Sequence, residues 1–350
     1  MDKISNIDKN FKIETDIKRD NLHFFDALDP VFSLHGVFHD GKGYVRLPDD
    51  VAKATSHGVH VLSKCTPGGR IRFKTNSKYI AIKMTAPEIM HHNRTPMSAL
   101  CGFDMFSGTK YVHTFIPPLD AKDGYELIHD FPSEEMRDIT IHFPLYNEVT
   151  SLHIGLDKNS EILPPEPYAT EFPVVYYGSS ITQGASASKP SGAYQNLLSL
   201  FLNIDHINLG FSGNAKGEQS MADYIASLKM SAFVMDYDYN APTPEHLKET
   251  HEPFFKTIRE AHPNLPILIL SRPKYYPNDE ELLRRDIVRQ TYENALSNGD
   301  KNVYFIEGNT LMSDEIKDLG TVDGTHPTDL GFFSMAKRIE PMLKEMLNMR

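Results

Sequence analysis

From about Leu22 to Thr170 the chain carries short runs in which apolar and polar residues alternate: Gly43–Leu47, Val59–Leu62, Arg70–Lys74, Tyr79–Met84, Lys110–Phe115 and Asp138–Phe143. A period near two over about 5–7 residues predicts strands with one face buried and one facing water. Turn residues such as Pro67-Gly68-Gly69 and Asn76-Ser77 break the runs, and no long amphipathic helical stretch intervenes. An antiparallel β-sandwich or jelly roll is the expected architecture. The stretch Ile162-Leu-Pro-Pro-Glu-Pro167 holds three prolines in six residues, which disfavours helix and central strand alike. The boundary is expected there, giving a polar segment over residues 1–21, a β-sandwich domain over 22–165 and a second domain over 166–350.

Beyond the linker the pattern changes to strand, loop and helix in alternation. Pro173–Tyr177, His206–Leu209, Ala232–Met235, Pro266–Leu270 and Asn302–Ile306 are short, nearly continuous apolar runs suited to strands covered on both faces. Helical periodicity fills the gaps over Ser191–Asn203, Met221–Lys229, Thr243–Ala261, Asn278–Leu296 and Thr328–Leu347. Thr243-Pro244 supplies an N-cap with proline behind it, and Asn278 with Glu281 has capping-box spacing. This alternation predicts an α/β domain with a doubly wound parallel sheet, whose site lies at the carboxyl ends of the strands.

Charge narrows the partners. The 350 residues include 36 Lys plus Arg against 47 Asp plus Glu, a net charge of -11 without a basic run, so nucleic acid is not an expected partner. Cys65 and Cys101 are the only cysteines, which gives neither a disulfide framework nor a Cys-rich zinc site. The N-terminus is polar and no segment reaches the ~18 apolar residues of a membrane span, so a cytoplasmic protein without a membrane partner is expected. The histidines His35 with His39, His57 with His60, and His91-His92 lack an accompanying carboxylate cluster, and no metal site is expected from them.

The candidate chemistry follows the strand ends. Gly178-Ser179-Ser180-Ile181-Thr182-Gln183-Gly184 follows the first strand of the second half and places a serine at a tight turn entering a helix. Taken alone it also reads as an N-capped turn, and Thr182 stands where a G-x-S-x-G elbow would have its last glycine. Asn208-Leu209-Gly210-Phe211-Ser212-Gly213-Asn214 ends the second strand, and Asp238-Tyr239-Asn240 follows the third with an amide able to donate to an oxyanion. Asp323-Gly324-Thr325-His326 follows the last strand, with a carboxylate placed to reach imidazole Nδ1 and leave Nε2 toward a nucleophile. Each segment has an ordinary loop reading; their joint occurrence at the ends of strands of one sheet is what argues for a site. Arg272, just after Pro266–Leu270, is a candidate substrate-binding residue or an ion-pair partner.

This set resembles the four blocks of the SGNH/GDSL hydrolases, over about half the chain. The resemblance implies a flavodoxin-like catalytic domain with Ser180 as nucleophile, His326 as general base and Asp323 as its orienting acid. The Ser180 N–H, the Gly213 N–H and the Asn240 side chain are the implied oxyanion donors, with Gly210 close to Gly213 in sequence. Ser179 replaces the acidic residue of the Gly-Asp-Ser form, and Tyr239-Asn240-Ala241 replaces Gly-Asn-Asp, but no catalytic group is lost. Upstream, Gly102-Phe103-Asp104-Met105-Phe106 resembles the Gly-x-Asp-Leu-Tyr signature of the N-terminal module in one two-domain SGNH group.

The implied activity is a serine esterase that needs no metal or organic cofactor. Similar two-domain proteins point to a short acyl group, acetyl in the first instance, on a carbohydrate or other small-molecule ester. An acyltransferase using the same serine and a non-catalytic carbohydrate-binding protein are the competing classes; the intact Ser180, Asp323 and His326 set argues against the latter. Recognition of substrate, cover for the active edge and a homo-oligomer interface are the three uses open to the β domain.

Overall fold

The computed structural model describes residues 13–349; of the polar segment over 1–21, residues 1–12 lie outside it. Two antiparallel sheets face each other in the N-terminal half. One has the strand order Leu22–Asp26, Ser151–Asp157, Tyr79–Thr85, Gly124–Asp130. The other runs Ile162–Leu163, Arg70–Thr75, Arg137–His142, Phe103–Ser107, Lys110–Phe115, with Ser33–His35 also paired to Arg70–Thr75. Ile71, Phe73, Ile139 and Ile141 from one sheet meet Ile80, Ile82, Leu152 and Ile154 from the other in a common core. That core is the apolar half of the period-two pattern.

Val59–Leu62 departs from the strand expected of it. His57–Leu62 is a short helix, with the Ser56 hydroxyl accepting from the Val59 N–H at 3.1 Å. Four alternating residues are too few to separate the two periods, and the cap decides. Gly43–Leu47 is strand only at Tyr44–Val45.

The second half is a five-stranded parallel sheet, in the order His206–Gly210, Val174–Gly178, Ala232–Asp236, Ile267–Leu270, Val303–Ile306. With the strands counted along the chain this is the 2-1-3-4-5 order of flavodoxin-like folds. Helices Gln219–Ser227, Pro244–Ala261 and Asp279–Ser297 follow the second, third and fourth of these strands, and Tyr194–Leu202 and Asp329–Met346 pack against each other. The cap at Thr243 and the capping box at Asn278 and Glu281 both form. Each face of the sheet has its own apolar core, and each core draws residues from the first half: Leu47, Ala52 and Val59 on one side, Ala99 and Leu145 on the other.

Polar groups also cross the joint. Arg46 is 2% exposed and donates to the Leu62, Cys65, Asn208 and Gly210 carbonyls at 2.6–2.9 Å, while its guanidinium lies over the Phe211 ring. Arg70 pairs with Asp205, which also takes His35 Nδ1 at 3.0 Å. Asp104, the acid of the Gly102–Phe106 signature, accepts from the Ser191 N–H at 3.2 Å; burial pushes its carboxyl up to about 6 against that hydrogen bond.

Arg46→Ala takes away the guanidinium that donates to carbonyls of both halves at this joint, and denaturant titration should register a loss of at least about 3 kcal/mol. Arg46→Lys, with a point charge in place of the planar fork, should recover less than half. A loss below about 1 kcal/mol for the alanine variant would mean that the apolar contacts and the remaining polar pairs hold the joint without Arg46.

Candidate active site

The turn after Val174–Gly178 has almost no freedom. A Cβ on Gly178 would stand 2.1 Å from Thr182 Oγ1 and 2.3 Å from the Asp236 carbonyl oxygen. Ser179 caps the short helix Ser180–Gln183 through its hydroxyl, which accepts from the Ile181 N–H at 3.2 Å, and Gly184 closes it with φ +102°. Ser180 is therefore the first helical residue, at the carboxyl end of a central strand. Behind it, Asp236 accepts from Thr182 Oγ1 at 3.0 Å and from the Tyr194 hydroxyl at 3.2 Å. Burial, reinforced by neighbouring Asp238, pushes the Asp236 carboxyl up to about 8, so it is largely neutral at pH 7.

The histidine loop is folded around its own carboxylate. Asp323 Oδ1 accepts from the Thr325 N–H at 3.1 Å and the His326 N–H at 2.9 Å, and Oδ2 meets His326 Nδ1 at 2.9 Å. Gly324, at φ +78°, makes the reversal that brings them together. Burial works to raise the Asp323 carboxyl, but hydrogen bonds from the His326 backbone and ring and from Arg94 outweigh it and hold it below the ordinary carboxylate range. His326 Nε2 stands 3.0 Å from Ser180 Oγ, completing a Ser180–His326–Asp323 chain across 146 residues of sequence.

The second and third loops close on the first. Gly210 packs against the serine turn so tightly that a Cβ would stand 2.2 Å from the Gln183 nitrogen. Its N–H is spent on Asn208 Oδ1 at 2.8 Å, while Asn208 Nδ2 donates to the Thr182 carbonyl at 2.7 Å. Gly213 has φ +69°, open space around it, and an N–H with no acceptor among the described residues. The two glycines thus separate by job: Gly210 permits close packing, and Gly213 carries the free donor. One Asn240 amide hydrogen holds the Phe211 carbonyl at 3.0 Å, tying the two loops and leaving a second hydrogen on the same nitrogen.

Arg272 lies elsewhere in the hydrogen-bond scheme. Its backbone and Nε donate to Asp238 Oδ2 at 3.1 and 3.4 Å, Nη1 faces Glu281 at 3.5 Å, and the guanidinium stacks on Tyr239 at 4.3 Å with the side chain 10% exposed. The geometry favours the ion-pair alternative, a brace for the loop that carries Asn240. Three contacts have no counterpart in the sequence reading. Lys274 Nζ donates to the Gly324 carbonyl at 2.8 Å, the Tyr146 hydroxyl lies 3.4 Å from the Ser180 carbonyl, and Arg94 Nη1 lies 2.5 Å from Asp323 Oδ2. Lys274 lies two residues from Arg272, which the sequence did single out; Tyr146 and Arg94 come from the sandwich and carry no local motif. Among the described residues no group of three or more His, Cys, Asp or Glu side chains could hold a metal ion.

Five clefts of about 220–590 Å3 open elsewhere on the molecule, and none of these is lined by Ser180, Asp323 or His326. The His326 and Asp323 side chains are 15% and 29% exposed, so both reach solvent.

The family model for GDSL-like lipase/acylhydrolases matches residues 171–344, and the GxDLY model, the N-terminus of SGNH-hydrolase-type esterases, matches residues 22–162. No curated protein matches the chain. Among solved structures, a putative GDSL-like lipase from Bacteroides ovatus is 30% identical, with 94% of this chain and 99% of that one covered and a TM-score of 0.83. A salicylyl-acyltransferase from a tetracycline biosynthetic pathway is 20% identical over 95% of this chain and 100% of its own, with a TM-score of 0.78. An acetyl xylan esterase from the rumen bacterium Butyrivibrio proteoclasticus is 13% identical over 93% and 99%, with a TM-score of 0.62. At these identities the last two share the fold.

Two stability measurements test the local readings. Gly210→Ala should fail to fold or lose more than about 3 kcal/mol, since backbone must move, whereas Gly213→Ala should fold at a cost of about 1–2 kcal/mol for its left-handed conformation. For Asp236 the folded carboxyl holds its proton up to about 8 and the unfolded one releases it near 3.8, so this group's contribution to stability falls as pH rises between those values. Asp236→Asn cannot titrate, and its melting temperature relative to the parent should climb from pH 5 to pH 8; a constant difference would show that Asp236 is ionised in the fold.

Proposed function

The chain belongs to the GDSL-like lipase/acylhydrolase family and is a serine ester hydrolase, and on that premise we propose that it removes a short acyl group, acetyl first among them, from a carbohydrate through an acyl-enzyme on Ser180. The observation that carries this reading is the hydrogen-bond chain from Ser180 Oγ through His326 to Asp323, at 3.0 and 2.9 Å. In the first step Ser180 Oγ attacks the ester carbonyl while His326 Nε2 takes its proton. Asp323, held ionised by its hydrogen bonds, keeps Nδ1–H in place and stabilises the imidazolium. The Ser180 and Gly213 N–H groups and the Asn240 amide receive the oxyanion. Collapse breaks the bond to the alcohol, which leaves with the His326 proton. Water then attacks the acyl-enzyme by the same route and releases the acid.

The likeness in fold to an acetyl xylan esterase supports a short acyl group on a carbohydrate.

Hydrolysis of p-nitrophenyl acetate should fall by at least about a thousandfold in Ser180→Ala and in His326→Ala, with fluorophosphonate labelling lost in the former. Asn240→Ala should lower kcat by about a hundredfold. Acetate release from acetylated mono- and oligosaccharides should exceed release of butyrate from matched esters. Acyl groups appearing on an added sugar acceptor in preference to water would make the protein a transferase, and undiminished turnover by Ser180→Ala would falsify the site.

A further inference from the structure

The segment that follows strand Tyr79–Thr85 leaves the sandwich and crosses to the other half of the molecule. Its first part is fixed: the Ile89 N–H donates to the Lys122 carbonyl at 2.6 Å, and Asn147 grips the Met90 N–H at 2.9 Å and the Glu88 carbonyl at 3.0 Å. Its far end is fixed too, where buried Thr95 accepts from the Ser186 N–H at 3.2 Å, just beyond the serine turn. Between these anchors His91 to Arg94 are exposed, and the Arg94 N–H donates to His92 Nδ1 at 3.2 Å. Arg94 Nη1 then reaches Asp323 Oδ2 at 2.5 Å and stands 3.4 Å from His326 Nδ1.

This contact completes the carboxylate. Asp323 Oδ1 already takes two backbone N–H groups, and Oδ2 takes the imidazole and the guanidinium, so every acceptor direction is occupied and the carboxylate cannot turn away from the ring. An ion pair whose arginine is 43% exposed contributes little to stability, so the effect of this one is local. Resting on the serine reading above, and deepening it, we propose that Arg94 is a positioning residue for the Asp323–His326 pair, so that the β-sandwich domain supplies part of the catalytic apparatus. The imidazole faces Asp323 and Arg94; Lys274, beside Glu281, reaches only the Gly324 carbonyl, His92 backs the Arg94 segment, and Tyr146 lies behind Ser180. Removing the Arg94 cation takes away one of the hydrogen bonds that hold the Asp323 carboxylate below the ordinary range and one positive charge from beside the ring, so the acid limb of the activity profile moves up.

The full-length parent, Arg94→Ala, Arg94→Lys and Ser180→Ala are compared on p-nitrophenyl acetate from pH 5 to pH 9, with thermal melts of each. Arg94→Ala is expected to melt within about 2 °C of the parent, to lose about tenfold in kcat with KM within about twofold, and to move the acid limb of kcat/KM upward by about half a pH unit. Arg94→Lys should restore the position of the limb and part of kcat, and added guanidinium ion should revive Arg94→Ala while leaving the parent unchanged. A kcat within twofold of the parent with an unmoved limb overturns the inference, as does a rise in KM alone, which would make Arg94 a substrate contact. Turnover retained by Ser180→Ala would instead overturn the serine reading itself, so the two failures are separate.

Discussion

A buried cation held by carbonyl groups joins the two halves of this molecule. Arg46 has no carboxylate within ion-pair distance among the described residues, and burial lowers its pKa to about 10, yet the fork spans carbonyls from both halves. Two of its acceptors, Asn208 and Gly210, lie in the strand whose loop presents Gly213. A displaced sandwich would leave those carbonyls unpaired, and an unsatisfied buried acceptor is costly enough to make one relative placement much better than its neighbours. Apolar contacts alone are less directional.

Everything at the active edge inherits that placement. Leu145 packs beneath the serine turn, where a Cβ on Gly184 would come within 2.9 Å of it, and the Leu145 carbonyl receives Gln183 Nε2 at 3.3 Å. Ser98 Oγ donates to the Ser188 carbonyl at 2.6 Å, and Arg94 meets Asp323. The sandwich therefore packs against the turn that carries Ser180 and the loop that carries Asp323, which gives a physical reason for two halves of unrelated architecture to share apolar cores. Asp104 fits the same account. Its signature reads as a strand of the sandwich, and its carboxylate is consumed at the joint by the turn that leads into the helix Tyr194–Leu202.

Much of the α/β half was legible because its signals are local. Five apolar runs became five parallel strands within about a residue of their expected bounds, and the caps at Thr243 and Asn278 formed as their side-chain chemistry requires. Strand-end position then identified Ser180, Asp323 and His326, whose side chains meet, and the glycine pair near Phe211, which needed coordinates to be told apart. In the sandwich the expected runs do not include the strands Leu22–Asp26, Phe103–Ser107, Gly124–Asp130 and Ser151–Asp157, and His57–Leu62 took the other period. Antiparallel strands are specified by partners distant in the chain, and short alternating runs say little about them.

What the sequence by itself determined are the properties written in neighbouring residues: the alternation of strands and helices, the caps, the turn glycines, and the Asp-x-x-His spacing that folds a carboxylate onto its own imidazole. Tertiary structure alone decided the roles of Arg46, Arg94, Tyr146 and Arg272. Each of these long side chains carries a polar group several bonds from its backbone, and one partner of each lies between 34 and 229 residues away. No periodicity records such a pairing, because it exists only once two separately specified surfaces have met.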